Sequence, residues 1–192
     1  MTMSQNEPDK KSSVIVINAS SSGAEGNTEL ILKKISNDLN CEHVYLKNNS
    51  YVELREKIRK AKGIVLGTGN YWSNHSHYMQ KFLEDATEDE LSDVFLGKPV
   101  ALIVTSQSTG GMSVVSNLMA TLNLLGCVIP PLSCIVYSQS IHGSKNKEFW
   151  KIDDYKVMLH NFLQYVNDKK QLRIWDVDKN YKNKWIESAE EL

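Results

Sequence analysis

Three short stretches carry the residues that could do chemistry, and each begins where an apolar run ends. The first, Asn18-Ala-Ser-Ser-Ser-Gly-Ala-Glu-Gly-Asn-Thr28, sets the hydroxyls of Ser20, Ser21 and Ser22 and the pair Asn27-Thr28 around two glycines. Small residues let backbone N–H groups turn inward, and the start of a helix adds a partial positive charge, so the stretch is suited to an anion, most simply a phosphate. One hydroxyl is enough to cap a helix, and three in a row exceed that need. Neither G-x-G-x-x-G nor G-x-x-x-x-G-K-[ST] is present, and no lysine in the loop would reach a terminal phosphate. The expected ligand group is therefore a monophosphate held by hydroxyls and amides.

The second stretch, Gly67-Thr-Gly-Asn-Tyr-Trp-Ser-Asn74, places Tyr71 and Trp72 side by side among Gly69, Asn70, Ser73 and Asn74. Adjacent side chains point apart, so one ring packs inward while the other offers a flat face to a planar ligand. The third, Thr105-Ser-Gln-Ser-Thr-Gly-Gly111, supplies the hydroxyls of Thr105, Ser106 and Ser108, and Gly110-Gly111 supplies backbone donors just before a helix. His75 and His77 flank Ser76 without an Asp or Glu at ligand spacing, so no metal is expected. His142 reads as an exposed loop residue, and the absence of a G-x-S-x-G elbow argues against a Ser-His-Asp hydrolase.

The elements that must position these stretches alternate. Apolar, β-branched runs at 13–18, 43–46, 63–67, 100–105 and 127–136 read as strands, those at 13–18 and 100–105 buried on both faces and the last interrupted by Pro130-Pro131. Between them, stripes at helical spacing predict helices over 28–39, 51–61, 75–85 and 110–125, with Gly126 as a left-handed stop. A last helix runs from Asp153-Asp154 to Lys169-Lys170, with charges that suit its dipole. Five alternations of strand and helix make an open α/β sheet with right-handed crossovers, whose ligand crevice lies beyond the carboxyl ends of the strands.

Composition narrows the choice. The chain has 192 residues, with 22 Lys plus Arg against 23 Asp plus Glu, for a net charge of −1. That leaves no positive field for nucleic acid or anionic lipid. With 41% apolar and 23% charged residues it is an ordinary globular chain, read as one domain over 13–170, a disordered tail over 1–12 and a C-terminal tail over 171–192. Cys41, Cys127 and Cys134 are too scattered for a disulfide framework or an iron–sulfur site and read as buried reduced thiols. No leader-like N-terminus and no apolar run of about 18 residues is present, so a cytoplasmic protein is expected. Trp150, Trp175 and Trp185 lie late in the chain, and the last two, in the charged tail, predict that it docks on the domain or on a second subunit of a homodimer or homotetramer.

The set of loops resembles the NADPH-dependent FMN reductases and related flavodoxin-fold quinone reductases. Ser21, then four residues, then Gly26-Asn27-Thr28 is similar to that family's S-P-R-x-x-G-N-T phosphate loop. Gly67 to Asn74 resembles its G-[ST]-P-x-Y-[FW]-G-[NS] loop, with Met79 to Phe82 matching the helix behind it. Gly97-Lys98-Pro99 through Thr105-Ser106 to Gly110-Gly111 resembles its G-K-P-V-A segment and the glycine pair that follows. The resemblance implies a flavodoxin-like five-stranded parallel sheet in the order 2-1-3-4-5, with helices on both faces and FMN at the strand ends. It implies that Ser21, Asn27 and Thr28 hold the FMN phosphate, and that Asn70, Tyr71, Trp72 and Asn74 meet the ribityl chain and isoalloxazine. Ser106, Ser108, Gly110 and Gly111 would then lie along the pyrimidine edge. It further implies hydride transfer from NAD(P)H through FMN to a quinone, flavin or other small acceptor, with no dedicated catalytic side chain.

Two departures stand out. Ser22-Gly23 replaces the family's Pro-Arg, and a charge-assisted Arg–phosphate contact worth ~1.5–3 kcal/mol goes with it, so FMN affinity is expected to be about tenfold lower. Gly69 stands where the family has proline, which loosens the second loop. An electron-carrier flavodoxin and a non-catalytic flavodoxin-fold binding module are the competing readings; the near-zero net charge speaks against the carrier, which docks through a strongly acidic face.

Overall fold

The computed structural model describes residues 13–138 and 154–167. Strands β1 (Val14–Asn18), β2 (Glu42–Tyr45), β3 (Gly63–Gly69), β4 (Val100–Ser106) and β5 (Cys134–Ser138) form one parallel sheet in the order β2-β1-β3-β4-β5. The helices are α1 (Asn27–Asp38), α2 (Tyr51–Lys60), α3 (His77–Ala86), α4 (Gly111–Leu124) and α5 (Asp154–Asn167). This is the flavodoxin-like α/β arrangement the sequence implied.

Alternate residues of each strand feed two separate cores. Ile15, Ile17, Leu66 and Leu102 pack with Leu54 and Ile58 of α2, Phe82 of α3, and Leu118 and Leu122 of α4. Val14, Val16, Val65 and Ile103 pack with Ile31 and Ile35 of α1 and with Met158 and Phe162 of α5. Both faces of β1, β3 and β4 are thus covered, which is why these strands read as unbroken apolar runs. A Cβ on Gly63 would stand 2.7 Å from both the Phe162 ring and Val166, so glycine is what lets α5 approach the sheet. Lys98, 7% exposed, donates to the carbonyls of Ile58, Arg59 and Ala61 and so caps the end of α2.

Several boundaries differ from the sequence reading. β5 begins at Cys134 and not at Cys127, because Pro130-Pro131 and a left-handed Leu132 (φ 57°) interrupt the run. Val128 instead makes a lone parallel bridge to Pro99 at the start of β4. β3 runs on through Thr68 and Gly69, which pair with Val104 and Thr105. α3 starts at His77, capped by the Ser76 side chain, which accepts from the Met79 N–H at 3.1 Å. Gly126 takes the left-handed stop predicted for it (φ 101°). Of the three free thiols only Cys127 is buried, with its thiol pushed up to about 12 by burial; Cys41 and Cys134 are half-buried. His142, Trp150 and the tails over 1–12 and 171–192 lie outside the described residues, as do Asp153 and Lys169-Lys170 at the ends predicted for the last helix. Among the described residues no helix is long and apolar enough to cross a membrane.

Candidate functional site

β1, β3 and β4 are neighbours in the sheet, so the loops that leave their carboxyl ends meet. They are tied to one another as well as adjacent. The Thr28 and Thr105 hydroxyls lie 2.7 Å apart, joining the first loop to the third. Asn70 joins the second to the third: its backbone N–H donates to Thr105 O at 2.7 Å, and its Nδ2 donates to Ser106 Oγ at 2.9 Å and Thr109 O at 2.6 Å. Ser76 Oγ donates to Ala19 O, joining the second to the first. Between the loops opens a cavity of about 600 Å³, within the size range of small-molecule and cofactor sites.

The first loop is shaped by a buried side chain that precedes it. Asn18 Oδ1 accepts from the Ser20 N–H at 2.9 Å, and its Nδ2 donates to Gly23 O at 3.3 Å and to Glu29 Oε2 at 2.9 Å. The other oxygen of Glu29 accepts from Tyr45 OH at 2.8 Å, and His43 Nε2 lies 3.5 Å from the carboxylate. Burial holds His43 below its ordinary range; the Glu29 charge works against that and Lys33 reinforces it. Folded this way, the stretch makes a single 3₁₀ turn (Gly23–Glu25) in which the N–H groups of Gly23, Glu25 and Gly26 go to the carbonyls of Ser20, Ser22 and Gly23, and α1 begins at Asn27, which lines the cavity.

The second loop is a two-residue turn. Tyr71 and Asn74 exchange backbone hydrogen bonds at 2.7 and 3.0 Å, and the residues between them, Trp72 and Ser73, are both left-handed at φ 53° and 63°. Non-glycine residues occupy that region at a cost of ~1–2 kcal/mol each. The turn leaves the Trp72 ring wholly exposed and folds Tyr71 back over Gly69, where a Cβ would meet the phenol ring at 3.0–3.2 Å. The Tyr71 hydroxyl oxygen thereby sits on the first loop, accepting from the Ser21 N–H at 3.0 Å and lying 3.4 Å from Ser20 Oγ. Burial raises that phenol, but the bonds from Ser20, Ser21 and Ser22 outweigh it and hold the group below its ordinary range.

The cavity lining includes Ser20, Ser22, Asn27 and Thr28 from the first loop, Gly69 through Ser73 from the second, and Thr105, Ser106 and Ser108 from the third. Four residues singled out in the sequence do not line it. Ser21 faces it only through the N–H given to Tyr71, and Asn74 closes the turn. Gly110 (φ 90°) and Gly111 serve packing, since a Cβ on the first would meet Ser73 Oγ at 2.5 Å and on the second Val136 at 2.4 Å. Gln107 and Thr109 line the cavity but were not singled out, although they alternate with the chosen hydroxyls. Asn18, the organiser of the first loop, reads in the sequence as the junction of strand and loop, with no role assigned to its side chain. His75 is half-buried and lowered by burial, with Nδ1 lacking a partner; His77 lies against Tyr78 with ring centroids 3.9 Å apart. Among the described residues no three metal-ligating side chains cluster.

A family model described as NADPH-dependent FMN reductase matches residues 12–140, which contain all three loops. The chain belongs to that family. Its membership makes it one of a family of flavin-dependent oxidoreductases, and solved structures agree on the fold. RosB, crystallised with 8-demethyl-8-formylriboflavin-5′-phosphate, superposes with a TM-score of 0.63 at 13% identity, covering 87% of this chain and 91% of its own. An oxidoreductase from Corynebacterium diphtheriae gives 0.65 at 12% identity over 84% of this chain and 100% of its own. An NADH:FMN oxidoreductase in its apo form gives 0.59 at 13% identity, over 83% of this chain and 91% of its own. No curated protein matches the sequence.

Proposed function

We propose that this member of the FMN reductase family binds FMN in the cavity at the strand ends. It would use the cofactor to pass a hydride from NAD(P)H to a quinone, a flavin or another small acceptor. The observation that carries the reading is the Tyr71 hydroxyl: the Ser21 N–H already donates to this oxygen, with Ser20 Oγ 3.4 Å away, as loop donors would to a phosphate oxygen. A second observation supports it at the other end of the cavity. Asn70 Oδ1 is buried and without a partner, leaving an acceptor for a ribityl O–H or a ring N–H. Bound FMN would supply the redox chemistry, and the protein's part is to bind and orient it.

In that role Ser20, Ser21, Ser22, Asn27 and Thr28 hold the phosphate, with Tyr71 turning from an occupant of the loop into a neighbour of the bound group. Asn70 and Trp72 hold the sugar chain and the ring, and Ser106 and Ser108 lie along the ring edge. No side chain is assigned as an acid or base. The free thiols suit a reducing, cytoplasmic setting. Assembly as a homodimer or homotetramer belongs to the same reading: α4 exposes Met112, Met119 and Leu124, and no Asp, Glu, Lys or Arg occurs from Val100 to Ser144. Charge depletion and exposed methionine are marks of interfaces.

Titration with FMN, followed by visible absorption and by quenching of the flavin's fluorescence, tests the reading, and NAD(P)H oxidation with a quinone acceptor tests the reaction. A protein that leaves FMN fluorescence unchanged removes the proposal; one that binds FMN without oxidising NAD(P)H is a carrier or a binding module. Light scattering on the same sample reads the assembly, and a monomer mass removes that part.

A further inference from the structure

The first loop lacks a cation. From Asn18 to Leu32 there is no Lys or Arg, while Glu25 and Glu29 add two carboxylates. A phosphate monoester brings a charge of about −1.5 to −2, against which the start of α1 offers about half a positive charge. Lys33 and Lys34 lie more than a turn into α1, away from its first N–H groups.

We propose that Lys47, contributed by the connection between β2 and α2, is the cation of this anion site. The proposal rests on the FMN reading given above. A Cβ built on Gly23 would meet Lys47 Cδ at 3.4 Å, so the aliphatic stem lies along the turn of the first loop and the ammonium is two bonds further out. The backbone that carries it is pinned to the same residue that shapes the loop. The Leu46 N–H donates to Asn18 O at 2.9 Å, and the Asn18 side chain donates to Gly23 O. Beyond Lys47, the Asn48 N–H and Asn49 Nδ2 both donate to Tyr45 O, at 3.1 and 2.8 Å, and close the turn.

Lys47 is also uncommitted. It is exposed and enters no ion pair among the described residues, whereas Arg55 is taken by Asp89, Lys57 by Glu42, Arg59 by Glu56 and Asp93, and Lys81 by Asp85. Glu29, the buried acid beside the loop, is held by Asn18 and Tyr45. Lys47 lines a neighbouring cavity, shared with Asp85 and Glu88, and is not part of the lining of the strand-end cavity; its stem lies against the first loop, and an unpaired ammonium on that flexible stem can swing to an incoming phosphate. The cation that the resemblance places within the loop thus arrives from the connection that follows the neighbouring strand.

Parallel titrations with FMN and with riboflavin, which lacks the phosphate, test this on the wild type, Lys47→Ala, Lys47→Arg and Lys33→Ala. Lys47→Ala should weaken FMN about tenfold or more and leave riboflavin unchanged, with Lys47→Arg and Lys33→Ala within about threefold of wild type. An alanine variant that binds FMN as the wild type does, or loses FMN and riboflavin equally, overturns the assignment while leaving the FMN reading standing. A wild type that binds FMN no better than riboflavin overturns the phosphate site and this assignment together. Lys47 is exposed, so an unchanged melting temperature confirms that the variants are folded.

Discussion

The two ends of the cavity are built on opposite principles. At the first loop the backbone is relaxed and the shape is imposed by a buried side chain: Asn18 satisfies Ser20, Gly23 and Glu29 at once. At the second loop almost nothing is buried; a two-residue turn is closed by Tyr71 and Asn74, and two left-handed residues store the strain. The end that receives a charged, compact group needs fixed donors, because each misplaced N–H forfeits a charge-assisted bond. The end that receives a broad ring needs a surface that adjusts, and a strained turn carrying an exposed indole supplies one. Gly69 connects the two: where the family has proline, this chain lets Tyr71 fold over the glycine and reach the first loop.

The largest effect is expected where the comparison rests most heavily. Asn18→Ala leaves the Ser20 N–H, the Gly23 carbonyl and one Glu29 oxygen without their partner in a buried place. It should destabilise the fold by ~3 kcal/mol and weaken FMN by more than tenfold. Chemical denaturation and titration check both. A loss under about 1 kcal/mol would mean that the first loop holds its shape without the amide, and the contrast with the second loop would fail.

That dependence on Asn18 also marks where sequence reading stops. β1, β3 and β4 were legible because both faces of each are buried, and the stripe of α4 because its apolar residues recur at helical spacing. Hydroxyl-rich loops at three strand ends were legible as a site because the topology forces such ends together. The break at Pro130-Pro131 was legible in the last apolar run, but not that only the part from Cys134 onward joins the sheet as β5, since the left-handed Leu132 leaves no mark in the pattern. The Asn18 side chain was invisible because its partners become neighbours only once the loop has folded back on it. Lys47 was invisible for a related reason: a helix and a strand separate it from Gly23 in the chain, and only the pairing of β1 with β2 brings it alongside.

A smaller effect is expected at the second loop, and it separates strain from recognition. Ser73→Gly gives up ~1–2 kcal/mol of left-handed strain against ~0.5–1 kcal/mol of added freedom in the unfolded chain, for a net gain in stability of about 0.5 kcal/mol. FMN affinity should hardly change. Trp72→Ala should do the reverse: the ring is exposed and its loss leaves stability within ~0.5 kcal/mol, while the missing stacking surface lowers FMN affinity by about 1 kcal/mol, some fivefold. Melting curves and titrations on the pair decide it. If Ser73→Gly weakens FMN as much as Trp72→Ala does, the strained turn is itself part of recognition and not only its support.

The smallest effect is a pH dependence that should differ between the two ends. His43 beside the first loop and His75 behind the second are both held below the ordinary histidine range, chiefly by burial. A histidine whose folded pKa is depressed contributes stability that is complete above about pH 6.5, the unfolded value, and that is lost as pH falls through the folded pKa. Acidification from pH 8 to 5 should therefore lower stability through both residues, but unequally. Once protonated, His43 has the Glu29 carboxylate 3.5 Å away to meet the new charge, with Lys33 opposing; His75 has burial alone acting on it. Replacing His75 with Gln should remove more of the acid slope than replacing His43 with Gln, as read from melting temperatures across that pH range. The reverse order would show that Glu29 does not receive a proton-bearing His43, and that its charge is spent on Asn18 and Tyr45 in shaping the first loop.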